Sequence, residues 1–248
     1  MSYNNNHNNV PVSNLFPSLW NNPEELRHAT TSCLIRVFLR MFAALLVTAF
    51  AAFAVANSQP MVDLIFGNMM VFYGLIILEL AIVVGISAGI NKLSVPAANA
   101  LFFLYAIING MTLSVIFLVY NLGIIYHAFA VSALMFGAMA IFGTVTKRDL
   151  TSIGSICIMG LFGVIIASVA NFFFRSAALE SAVLYIGILV FIGLTAYDTQ
   201  RIKRMLADAN AVSAVVAIEK ISVIGALTLY LDFINLFLKV LRVLGRRR

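Results

Sequence analysis

Two aspartates occupy positions that a lipid bilayer penalises: Asp198 in VFIGLTAYDTQ and Asp232 in LTLYLDFINLFL. An ionised carboxylate near mid-bilayer costs a few kcal/mol or more, so such a residue faces protein, finds a partner or takes up a proton. Two carboxylates about 3 Å apart cannot both ionise cheaply, and a facing pair titrates as a unit. Asp198 and Asp232, on successive helices, are expected to face each other and share a proton. The shared hydrogen bond would close the pair and double ionisation would push it apart, which makes it a pH switch. A third acid, Glu79, sits in GLIILELAIVVGIS with no basic residue within a turn. Three acids on three helices predict an acidic interior.

The neighbours of these acids are also patterned. Thr228, Asp232, Asn235 and Lys239 step by four, three and four, which puts them on one helix face. Thr195, Asp198 and Arg201 follow at i, i+3 and i+6. Plainer roles fit the same residues. Asp198 could pair with Arg201 one turn on, Asp232 could be tied to Asn235 or Lys239 as a polar lock, and Glu79 could be a protonated packing residue. Register also constrains the pair, because Asp232 lies mid-span and Asp198 near the inner end of its helix. At a rise of about 1.5 Å per residue they are level only if the sixth helix runs on through RIKRML or the seventh starts late.

The elements that must position these groups follow from composition. The chain has 248 residues, 62% hydrophobic and only 10% charged, against about a quarter charged in a soluble domain. Its apolar blocks are roughly 20 residues long, the length a helix needs to cross about 30 Å of hydrocarbon. The short alternating segments of a β-barrel are absent, so the fold expected is an all-α membrane protein. Seven spans are predicted, at 36–57, 64–90, 97–120, 123–145, 151–174, 179–203 and 221–244. No internal repeat is evident, which disfavours an inverted-repeat transporter.

Residues 1–30 are Asn-rich, with Pro11, Pro17 and Pro23, and read as a disordered tail ahead of a single transmembrane domain at 31–248. No cleavable signal peptide is evident. His7 is read as solvated, Trp20 as resting at the membrane interface, and Pro23-Glu24-Glu25 as opening a short interfacial helix. The formal charge of +6 is spread over short loops, so it is a topology signal rather than a nucleic-acid footprint. Arg27, Arg36, Arg40, Lys92, Lys147, Arg148, Arg201, Lys203 and Arg204 fall on one side, and the N-terminus is expected inside. Arg242 and Arg246 to Arg248 break the pattern: either they lie outside, or the last segment re-enters and leaves on the inner side. Cys33 and Cys157 are isolated and read as apolar fillers, not a disulfide or zinc site. Blocks three and four are joined only by Asn121, Leu122 and Gly123, which predicts tight antiparallel packing. Gly85 and Gly89, with Gly137 and Gly143, predict close helix contacts. His127 is read as an interface residue and Lys147-Arg148-Asp149 as a solvated loop with a helix start.

The segments LTAYDTQRIK (194–203) and GALTLYLDFINLFLKVLRVLG (225–245) resemble the signature segments of the transmembrane Bax inhibitor motif family, in its bacterial Bax-inhibitor-like branch. The likeness extends to FGAMAIFGTVTKRDL (136–150) and the run before Glu79. It implies a seven-helix bundle with the C-terminal helix central, a di-aspartyl pH sensor at Asp198 and Asp232, and a pH-sensitive calcium leak with Glu79 beside the pore. A family relative has a basic residue late in helix two that latches onto the helix-six aspartate. Here VVGISAGINKLS lacks arginine, which leaves Lys92 nearby and Arg201 as a substitute.

The function expected is therefore a passive, pH-gated cation leak in a bacterial inner membrane. Calcium is the favoured ion because it takes hard oxygen ligands. Asp198, Asp232 and Glu79 would be its transient ligands, with no tightly bound cofactor. One alternative is a non-conducting regulatory protein acting through other membrane proteins. Another is an intramembrane aspartyl protease, since Tyr197-Asp198 matches its YD pair. Leu229-Tyr230-Leu231-Asp232 lacks the glycines of GxGD, however, and PAL, HExxH and GxSxG are missing, so no enzyme activity is expected.

Overall fold

The computed structural model describes residues 23–211 and 215–246. The tail, with His7 and Trp20, lies outside the described residues. Those described form α-helices and no strand: α1 Pro23–Ala56, α2 Gln59–Phe66, α3 Met69–Gly89, α4 Val95–Leu113, α5 Val115–Val119, α6 Leu122–Val145, α7 Thr151–Phe174, α8 Ala177–Ala211 and α9 Val215–Gly245. Seven spans are long and apolar enough to cross a membrane: α1, α3, α4 with α5, α6, α7, α8 and α9.

The spans fall on the predicted blocks, with four differences of local origin. The expected interfacial helix at Pro23 is instead the first turns of α1, which runs unbroken past residue 31. The second block is split. The Gly67 backbone N–H donates to Asp63 O at 2.9 Å to end α2, and the Asn68 side chain accepts the Met70 N–H at 3.0 Å to cap α3. The third is divided at Ser114, whose hydroxyl donates to Met111 O at 2.7 Å. Finally, α8 continues through RIKRML to Ala211 and α9 begins at Val215, earlier than predicted. The extension of α8 meets the register condition for the two aspartates.

Helix α9 packs against α8, α1, α6 and α4, and it is the most extensively buried of the spans. Helix α8 packs in turn against α7, α6 and α1, whereas α3 rests mainly on α4 and α7 mainly on α8. The turn between spans three and four is as short as predicted, with the Asn121 side chain accepting the Ile124 N–H at 3.0 Å. The two spans nevertheless do not pack side by side. Helix α4 lies on α1, α3 and α9, while α6 lies on α8 and α9. An apolar cavity of about 450 Å³ fills the wedge, with Phe117, Phe129 and Phe237 among its walls. A short turn fixes where two helices start, not the angle at which they leave.

Both ends of α9 are pinned. Near its start, Glu219 accepts from Arg36 at 2.9 Å and pairs with Arg40, both on α1, and Lys220 donates to Asn91 O at 3.0 Å. At its end, Arg246 pairs with Glu180 and donates to Ser181 Oγ at 2.9 Å, and Gly245 abuts the Tyr120 ring. The C-terminal end therefore lies with the α5–α6 turn and the start of α8, across the bundle from Arg36. The re-entrant path is excluded.

Glycines sort by what lies against them. A Cβ at Gly85 or Gly137 would meet nothing within 4 Å, and one at Gly89 only the Leu93 side chain at 3.8 Å, so the GxxxG of α3 draws no helix close. At Gly143 a Cβ would stand 2.2 Å from Ala196 O, and at Gly110 2.5 Å from Thr48 O. Those two positions let α6 reach α8 and α4 reach α1. Gly143→Val is expected to force α6 off α8 and lower unfolding stability by about 1–3 kcal/mol, with Gly85→Ala near neutral. Thermal unfolding in detergent checks this, and equal losses at both sites would refute the close approach.

Candidate functional site

Helices α8 and α9 run antiparallel, and small residues set their spacing. A Cβ at Gly225 would sit 3.1 Å from the Ile202 side chain, and one at Gly187 2.4 Å from Lys239 Cε. Between these two contacts the helices bring Asp198 and Asp232 face to face. Both are buried, and their carboxyl groups share a hydrogen bond. Such a bond needs a proton on one of the two, because an ionised carboxylate only accepts. Asp232 Oδ2 is buried with no hydrogen-bond partner among the described residues.

The pair lines a cavity of about 660 Å³ closed on one side by apolar residues of α7, Ile158, Leu161 and Ile165 among them. Thr228, Asn235, Lys239 and Arg201 line it too, so the polar stripe of α9 does occupy one face. The polar lock is not formed. The Asn235 amide donates to Leu231 O of its own helix at 2.9 Å, and the Lys239 ammonium lies 5.8 Å from the Phe191 ring centre. Arg201 is exposed and makes no ion pair with Asp198 among the described residues. Lys92 is exposed as well and does not line the cavity.

Glu79 lies elsewhere. Half-buried on α3, it accepts from Thr112 Oγ1 at 2.7 Å on one oxygen and from Asn109 Nδ2 at 3.2 Å on the other, both donors being on α4. It does not line the cavity of the aspartates. The predicted single acidic interior is thus two separate sites. Among the described residues no three His, Cys, Asp or Glu side chains come together as a metal site. Asn109 was legible as a polar residue inside an apolar block, by the same signal that marks Asp232. Its partner Tyr230, whose hydroxyl donates to Asn109 Oδ1 at 3.0 Å, carried no such mark.

The family model described as "Inhibitor of apoptosis-promoting Bax1" matches residues 30–248, which take in all three acids and all seven spans but for the first residues of α1. The chain belongs to the Bax inhibitor family. It is similar to the inner membrane protein YbhL of Escherichia coli strain K12, at 49% identity over 215 residues, covering 86% of this chain and 91% of that protein. An uncharacterized protein of Borreliella burgdorferi is 43% identical over 218 residues, covering 87% of this chain and 92% of its own. One of Rickettsia prowazekii is 42% identical over 219 residues, with 87% and 89% covered. Seven apolar helices and this membership make the protein a multi-pass membrane protein.

In this Bax inhibitor family member the segment after Asp198 has a further task. Gln200 Nε2 donates to Arg148 O at 2.8 Å, and its Oε1 accepts from the Leu150 N–H at 3.0 Å and from Arg204 at 2.8 Å. Lys203 donates to Thr144 O at 2.6 Å. The loop at 146–150 is thereby stapled to α8 rather than simply solvated. Asp149 accepts from the Thr151 hydroxyl at 2.6 Å, the Thr151 N–H at 2.9 Å and Arg204 at 3.0 Å. The Thr151 hydrogen bonds, aided by Arg204, hold its carboxyl down at about 2. The cysteines form no disulfide: Cys33 is buried and Cys157 half-buried against Gly193. His127 is exposed, with Nδ1 2.5 Å from Gly123 O.

A carboxyl depressed in the folded state stabilises it above the ordinary carboxylate range, and that contribution fades only as pH falls towards about 2. Between about pH 5 and 8 Asp149 stays ionised. Asp149→Asn is therefore expected to leave the midpoint of any pH response in that window unmoved, as followed by intrinsic fluorescence. A shifted midpoint would place a titrating group at the loop.

Proposed function

We propose that this protein is a passive cation leak of a bacterial inner membrane, with calcium the favoured cargo and its gate set by the proton shared between Asp198 and Asp232. The observation that carries the reading is the pair itself: two buried carboxyls from α8 and α9, hydrogen-bonded in the wall of a largely apolar cavity. One shared proton holds the two helices together. Losing it leaves two like charges in a poorly solvated site, and their repulsion favours separation. Proton activity then sets the spacing of α8 and α9 without any covalent chemistry, and no enzymatic step is invoked. The inner-membrane assignment is supported by the name of the Escherichia coli relative. The end that carries Arg36, Arg40, Lys92, Lys147 and Lys203 would face the cytoplasm, with the N-terminus inside.

Glu79 is assigned to the cation path. It is only half-buried, and its oxygens suit a hard cation that binds briefly. Calcium is cargo here, held transiently by the acids and not as a resident cofactor.

Calcium entry into dye-loaded proteoliposomes between about pH 6 and 8 tests the gate. Wild-type flux is expected to vary with pH, and Asp198→Asn and Asp232→Asn are each expected to flatten that profile. An unchanged profile in both variants would remove the pair from the mechanism. No flux from folded wild-type protein would move the function to the regulatory reading, in which the protein acts on membrane partners and conducts nothing.

A further inference from the structure

Tyr230 and Asp232 are two residues apart on α9, so their side chains leave the helix about 200° apart. Asp232 meets Asp198 of α8, while Tyr230 points the other way, into α1 and α4. Tyr230 is fully buried, edge-on to Phe102 and Tyr105 with ring centres 5.9 and 5.7 Å away. Its hydroxyl stands 2.7 Å from Thr48 Oγ1 and donates to Asn109 Oδ1 at 3.0 Å. The direction of that bond follows from what lies around it. Asn109 Nδ2 must donate to the Glu79 carboxylate, so Oδ1 is the acceptor turned towards Tyr230. With the phenolic proton given to Asn109, the 2.7 Å contact is made by the Thr48 hydroxyl donating to the Tyr230 oxygen, which accepts from Thr48 while it donates to Asn109. An unbroken run of directed hydrogen bonds therefore leads from α9 through Asn109 of α4 to Glu79 of α3.

We propose that Tyr230 and Asn109 are positioning residues that fix the Glu79 carboxylate and tie it to α9, so that a change at the aspartate pair reaches Glu79 through that helix. This rests on reading Asp198 and Asp232 as the pH sensor. A shift of α9 against α4 by about 1 Å takes the Tyr230–Asn109 bond out of hydrogen-bonding range. Asn109 then has a buried carbonyl oxygen without its donor, a strong incentive to turn. Turning withdraws Nδ2 from one Glu79 oxygen and leaves that oxygen open to a cation. The titratable and charged groups that face the aspartates or share their cavity are Cys157 of α7, Tyr197 and Arg201 of α8 and Lys239 of α9. Those that face Glu79 are Tyr105 of α4 and Tyr230 of α9. None of them bridges the two sites except through α9.

Infrared difference spectroscopy of the full chain in lipid tests the link, with the Glu79 band assigned by its loss in Glu79→Gln and the aspartate bands by Asp198→Asn and Asp232→Asn. In wild type the Glu79 and aspartate bands should change with one midpoint across the pH step. In Tyr230→Phe, which keeps the ring, the aspartate bands should persist while the Glu79 band stops following them. Asn109→Leu breaks the same link from the other side and serves if Tyr230→Phe folds poorly. A Glu79 band that follows the aspartates as in wild type, in either variant, overturns the proposal. A second reading at fixed pH needs no titration: Asp232→Asn should displace the Glu79 band with tyrosine at position 230 and not with phenylalanine. Equal displacements overturn the link. Coupling in this cycle without any pH-sensitive aspartate band sustains the link and overturns the proton gate alone.

Discussion

A helix inside a bilayer has no water to satisfy polar side chains, and α9 carries such groups on two opposite sides. On one side Asp232 is answered by Asp198. On the other, Tyr230 is answered by Thr48 and Asn109. Neither requirement can be met by lipid, so α9 needs protein on both of these sides, which α8 provides on one and α1 with α4 on the other. Glycines at 187 and 225 bring α8 close enough for the carboxyls to meet, and Gly110 brings α4 close to Thr48 of α1. The helices that supply no partner to these groups, α3 apart from Glu79 and α7 apart from its apolar wall, keep broad faces for lipid.

What the sequence made legible follows from what hydropathy measures. Blocks 123–145 and 151–174 were placed almost to the residue, because polar loops and capping groups bound them on both sides. The sixth block was read short, since RIKRML ends the apolar run although the helix does not end. Ile202, Leu206 and Ala209 stay buried along that extension, so packing against neighbours carries α8 beyond the hydropathic span. The start of α9 was missed for a related reason: Glu219 and Lys220 look like loop residues until Arg36, Arg40 and Asn91 are seen beside them.

The acids were legible as anomalies, and the two aspartates as a pair, because a charge in an apolar run demands an explanation wherever it faces. Their grouping was only half legible. One-dimensional spacing put Asp232, Asn235 and Lys239 on one face, but it gave no sign that Glu79 would turn to α4 instead. The glycines show the same limit. The GxxxG pattern at Gly85 and Gly89 meets no helix and neither does Gly137, whereas Gly143 does sit against α8 and Gly110, in no recognisable pattern, sits just as closely against α1. Which face a helix presents is settled by its partners.

The cavity beside the aspartates has walls of mixed charge, with Arg201 and Lys239 set against Asp198 and Asp232. With one proton shared, two bases face a single negative charge; with none, two bases face two. Under the proposed gate, loss of the proton would therefore take the chamber from a net positive charge to a balanced one, without building a deep cation well. In the proposed leak, a cation that enters such a chamber would be held there only briefly. A site that eases a repulsion rather than building a deep well is the kind that unassisted permeation, as proposed for this protein, would require.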